Sequence, residues 1–127
     1  MEVQIFGVKK SADTRKAQRF FSERRIRAHF VDLNEKAMSE GELTRFIQKF
    51  GIERLVDRES KRYEELGLRT LGGSGGSEAR WIERLLIEPL LMRLPLVRRL
   101  GQPPALTIGD DEKTWKGWVS SAINTPS

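Results

Sequence analysis

The first 33 residues constrain the fold more than any other stretch. "VQIF" (3–6) alternates in hydropathy and stops at Gly7, the pattern of a half-buried strand. In the segment after it, Ser11 or Asp13 can cap a helix. Ala17, Phe20 and Phe21 then recur at i, i+3 and i+4, an apolar stripe with Arg and Lys on the remaining faces. "IRAHFVDL" (26–33) supplies a second strand within a few residues of that helix. A strand, a helix and a strand in so short a span make a right-handed parallel βαβ unit, because parallel neighbours need a crossover.

Further along, Ser39 with Glu42 forms a capping box ahead of Leu43, Phe46, Ile47 and Phe50, and Gly51 stops that helix. "ESKRYEELGL" predicts a short helix ending at Gly67. "LGGSGGS" (71–77) is rich in glycine but lacks the Gly-Lys-Ser/Thr of a phosphate loop, so it reads as a flexible connector. Ser77 caps a helix bearing Trp81, Ile82, Leu85 and Leu86, and Pro89 disrupts its end. "LPLV" (94–97) and "ALTI" (105–108) predict an antiparallel hairpin joined by Arg98 through Pro104. "DDEKTWKGWVSS" places Trp115, Trp118 and Val119 on one side of a last helix, and "INTPS" reads as a frayed tail.

The order βαβ, helices, ββα predicts an α/β protein, a thioredoxin-like sandwich with helices on both faces. It reads as a single domain over 1–127, with its core in 1–33 and 89–122. A mostly helical insertion spans 34–88, and the tail covers 123–127.

Composition restricts the chemistry. The chain has no cysteine, which excludes disulfides, thiolate catalysis and thiolate metal sites. Its single histidine, His29, excludes a histidine-rich metal site, so no metal is expected. No apolar run approaches the ~20 residues of a membrane span, and the N-terminus lacks a signal-peptide pattern, so a cytoplasmic protein is expected. The net charge is +5, and residues 1–30 hold all of it, with eight Lys/Arg against three acids. Such an edge suits an anionic or acidic partner, although charge runs are commonly just solvated faces.

The ordered motifs resemble the ArsC/Spx family, comprising glutaredoxin-coupled arsenate reductases and related regulators. "IFGVKKSADTRKAQRFF" is similar to the family's strand, Cys-x-x-Cys or Cys-x-x-Ser-type loop and first helix, with Arg15, Lys16 and Ala17 in place. "HFVDL", "YEELGL", "EPLLMRLPLV" and "IGDDEKTW" resemble the second strand, the insertion helix, the segment leading to a cis-proline (here Pro95) and the start of the last helix. The resemblance covers nearly the whole chain.

The departures bear on activity. Ser11 stands where the family has its nucleophilic cysteine, and Thr14 where it has the second thiol. A hydroxyl ionises far above the cysteine value of about 8.5 and forms no reversible disulfide. The family's oxyanion-holding arginines fall at Leu94, near Asp57 with Arg58 adjacent, and near Gly109. The resemblance therefore implies a cysteine-free, non-catalytic relative, with no cofactor and no arsenate reduction. Lys9, Lys10, Ser11, Arg15, Lys16, Arg58 and Pro95 are the expected anion- or partner-binding residues, though Ser11 and Asp13 as plain helix caps explain the same sequence. The regulator branch implies a protein partner such as the RNA polymerase α C-terminal domain. Direct nucleic-acid binding is not expected, since no helix-turn-helix pattern is evident. The alternative is a glutathione-dependent enzyme using Ser11 in place of cysteine. His29, the adjacent Glu64 and Glu65, and the three tryptophans read as structural.

Overall fold

The computed structural model describes residues 1–68, 77–101 and 104–124, with side chains to residue 121. Residues 71–76 of the predicted connector (71–77) and the last three residues of the predicted tail lie outside the described residues. The chain divides into two units. One joins Met1–Asp32 to the residues from Leu94 onward, and the other is Leu33–Arg93.

In the first unit the predicted βαβ opening is present as β1 (Glu2–Gly7), α1 (Ala12–Glu23) and β2 (Arg27–Asp32). β3 (Leu96–Arg99), β4 (Ala105–Ile108) and α6 (Glu112–Asn124) complete it. The sheet order is β2-β1-β3-β4. β1 is parallel to β2 (Val3 opposite Ala28, Gly7 opposite Asp32) and antiparallel to β3 (Phe6 opposite Leu96), and β3 is antiparallel to β4. β3 starts two residues later than "LPLV" implies, since Pro95 has no N–H for a ladder, and runs on to Arg99, which pairs with Val3 and Ala105. α6 extends through Ile123 and Asn124, the first two residues of the predicted tail.

Within this unit α1 and α6 share one face of the sheet. Ala17, Phe20 and Phe21 from α1 and Trp115 and Trp118 from α6 cluster with Val3, Ile5 and Val97. Phe20 and Phe21 meet edge to face at 5.0 Å, and both rings approach Trp115. Trp115 is fully buried and its Nε1–H donates to the Thr107 hydroxyl at 2.9 Å, so the indole leaves no orphan donor.

The α1 C-terminus is a Schellman turn. Arg25 N donates to Ser22 O (3.0 Å) and Ile26 N to Phe21 O (3.0 Å), while Ile26 packs on the cluster. The left-handed residue of this motif is usually glycine. Here it is Arg25, at φ 58°.

The second unit holds α2 (Glu40–Phe50), α3 (Ile52–Leu55), α4 (Lys61–Glu65), α5 (Glu78–Ile87) and a 3₁₀ turn at Pro89–Leu91. The capping box is formed as read: Ser39 Oγ accepts from Glu42 N, and Ser39 N donates to Glu42 Oε1. Leu43, Phe46, Leu55, Tyr63, Trp81 and Leu85 are buried. The unit boundaries fall at Leu33 and Arg93, not at 34 and 88. Val56 bridges Met92, Asp57 N donates to Leu91 O, and Arg93 N donates to Leu55 O, which ties residues 89–93 to the helices. Arg62 grips Glu88 with two parallel hydrogen bonds of 2.7 Å.

Candidate functional site

The corner where β1 gives way to α1 is assembled by the backbone. Ser11 N donates to Val8 O (3.1 Å), Ser11 Oγ accepts from Thr14 N (3.1 Å), and Ser11 O accepts from Arg15 N. Ser11, and not Asp13, is therefore the helix cap. The strand registers bring two more segments to this end of the sheet. Phe6 lies opposite Leu96 and Leu96 opposite Ile108, so Pro95 and Gly109 sit one step beyond, with Gly109 N donating to Pro95 O at 2.9 Å. The Leu94–Pro95 peptide bond is cis. Asp111 caps α6 here through Thr114 N.

Thr14 faces inward. It is fully buried, its Oγ1 has no hydrogen-bond partner among the described residues, and its side chain lies against Gly7. A Cβ at Gly7 would run into Thr14 Oγ1 and Cγ2, the latter at 2.6 Å. A side chain so enclosed is walled off from any solvent-borne reactant.

The cations of the corner are partly engaged. Arg15 Nη1 donates to Lys9 O at 2.8 Å, which folds the guanidinium over the loop while leaving its charge exposed. Lys9 lies 4.0 Å from Asp32 and is itself well exposed, and Lys10 is exposed. Lys16 is the most committed. Its Nζ donates to Asp110 Oδ2 at 2.7 Å with Glu112 at 3.8 Å, and the Asp110 hydrogen bond raises its pKa above the ordinary lysine value. Asp110 as its partner was not legible, because "GDDEK" reads as helix-start acids alone.

The first unit thus brings Lys9, Lys10, Ser11, Arg15, Lys16 and Pro95 to one end of its sheet. Arg58 is exposed in the second unit, between α3 and α4. The positions at which the resemblance implies oxyanion-binding arginines are otherwise occupied. Leu94 is buried, Gly109 commits its N–H to Pro95, and Asp57 faces Arg93 at 3.7 Å. His29 reaches Glu2 at 2.7 Å on an exposed surface. Among the described residues, no group of three or more His, Asp or Glu is placed to hold a metal, and no helix is long and apolar enough to cross a membrane.

The charge excess of residues 1–30 is split. Lys9, Lys10, Arg15 and Lys16 gather at the Gly7 end of β1. Arg25 and Arg27 lie at the opposite end, where Arg27 pairs in register with Glu2.

A mixed four-stranded sheet in this order, with a helix launched from the β1 corner beside a cis-proline, is the thioredoxin-like fold of arsenate reductase-related proteins. Three solved structures illustrate the likeness. The YffB protein matches 91% of this chain and 96% of its own (TM-score 0.77, 19% identity). An arsenate reductase (ArsC) related protein from Brucella melitensis matches 94% and 95% (TM-score 0.65, 23% identity), and an arsenate reductase from Vibrio cholerae 90% and 94% (TM-score 0.71, 23% identity). At these identities the likeness is one of fold. No protein-family model matches the chain, and no curated protein matches it.

Proposed function

We propose that this chain is a binding module on an arsenate-reductase-type fold, its thiol corner rebuilt as a structural cap. It engages an acidic protein partner through Lys9, Lys10 and Arg15. The observation that carries this reading is Ser11. In a chain without cysteine, the hydroxyl oxygen at the corner accepts from Thr14 N, as a capping serine does. What remains at the surface is positive charge at a helix start, a field that attracts carboxylates. Lys16 contributes less, since Asp110 and Glu112 offset it. Pro95 shapes the same end of the sheet. A small oxyanion is compatible with the site.

The RNA polymerase α C-terminal domain is the first partner to test, following the regulator branch of the resemblance. Retention of the purified domain at low salt, weakened by Lys10→Glu/Arg15→Glu with a flatter salt dependence, is the expected result. No retention removes that partner. Arg58→Ala in the same assay shows whether Arg58 belongs to the surface. An assay with glutathione and an electrophilic acceptor checks the non-catalytic half of the proposal, and no turnover above background is expected. Turnover that vanishes in Ser11→Ala would replace binding with glutathione-dependent chemistry.

A further inference from the structure

From the other end of the first unit, we infer that the outer edge of β2 is a docking strand for an extended, acidic segment of another protein. This surface is separate from the Ser11 corner and does not depend on it.

β2 is the terminal strand of the sheet, so alternate N–H and C=O groups along Arg27–Asp32 face outward with no neighbouring strand among the described residues. Beside that edge lies a groove of about 530 Å³ between β2 and α1. Its floor is apolar, made by the half-buried Ala28 and Phe30, and Gln18 and Ser22 of α1 form the polar wall. Arg25 stands at its mouth, and Arg27 by alternation projects from the opposite face of β2, both exposed. An added strand would pair its backbone with β2 and rest every second side chain beside Ala28 and Phe30.

Charge selects the occupant. Arg25 makes no ion pair among the described residues, and Arg27 lies in register with Glu2, which is bonded to His29. The exposed guanidinium groups of Arg25 and Arg27 at this end of the edge favour an acidic strand. Arg25 adds an independent pointer. It holds a left-handed conformation in which glycine would be unstrained, and thereby keeps a guanidinium at the groove.

The test uses the intact, isotope-labelled chain with an eight-residue capped peptide of alternating glutamate and valine, and a lysine–valine peptide as control. Amide shifts and hydrogen exchange are read residue by residue. The glutamate peptide is expected to perturb Arg27–Asp32 and slow exchange there, while the lysine peptide does neither. Arg25→Glu/Arg27→Glu should weaken binding at least about tenfold, and Lys10→Glu/Arg15→Glu should change it less than about twofold. Arg25→Gly, which suits the backbone, should weaken it several-fold even if the double variant misfolds. The inference is overturned by perturbation confined to Lys9–Lys16, by equal binding of both peptides, or by no perturbation of β2. Concentration-dependent protection of β2 without peptide would also overturn it, by assigning the edge to a second copy.

Discussion

Thr14 and Gly7 illustrate how single residues set the corner. The threonine methyl and hydroxyl fill the space where a Cβ on Gly7 would stand, and the hydroxyl has no partner among the described residues. A buried polar group left unpaired costs about 1–3 kcal/mol. Thr14→Val keeps the shape and removes the hydroxyl, so urea denaturation should show a gain of about 1 kcal/mol. Gly7→Ala should lose about 1–3 kcal/mol by overpacking. Adding Thr14→Ala should recover part of that loss, since the two sites share one space. Arg25 is the other strained position. Arg25→Gly should raise stability by about 1 kcal/mol by removing the left-handed penalty on a side chain, measured the same way. Arginine at this position reads in a sequence as one more surface cation, because the left-handed turn depends on where α1 ends.

At the scale of elements, α1 shows what the corner offers. Its N-terminus directs an N–H at the residue-11 side chain and has Lys9, Lys10 and Arg15 nearby. Ser11→Cys should therefore yield a thiol with a pKa below the free value of about 8.5, because a helix start and cations favour the thiolate. Its rate of reaction with a disulfide reagent across a pH range of about 5 to 9 checks this. An unshifted profile would mean that Asp13 and the Lys16–Asp110 pair cancel the field. Arsenate turnover is not expected from the same variant, since Leu94 and Gly109 bring no guanidinium. The elements with local signals were legible: alternation gave β1, a segment close behind the first helix gave β2, Ser39 with Glu42 gave α2, and Ser77 gave α5. The 89–93 boundary was not, because residues 89–93 are held by Leu55, Val56 and Asp57, more than thirty positions away. Lys16 with Asp110, 94 positions apart, escaped for the same reason.

For the whole molecule, the ion pairs define how stability depends on pH. Glu88 in the second unit has a pKa lowered from its ordinary 4.5, chiefly by its hydrogen bonds to Arg62, and Glu2 in the first unit is lowered by His29. The folded state therefore holds these protons less tightly than the unfolded chain. Their stabilisation is complete above the ordinary glutamate range and is lost as pH falls through the lowered folded values. Lys16 has the opposite sign. Its pKa is raised by Asp110, so its contribution is complete below the ordinary lysine value and is lost as pH rises through the raised one. Thermal midpoints measured over a pH range of about 3 to 12 should form a plateau with an acid limb and an alkaline limb. Glu88→Gln should lower the plateau and flatten only the acid limb, leaving part of it to Glu2. Lys16→Met should lower the plateau and flatten only the alkaline limb. An acid limb unchanged in Glu88→Gln would show that the Arg62 pair does not persist in solution. An alkaline limb unchanged in Lys16→Met would show the same of Lys16 with Asp110, and would return Lys16 to the exposed charge at the corner.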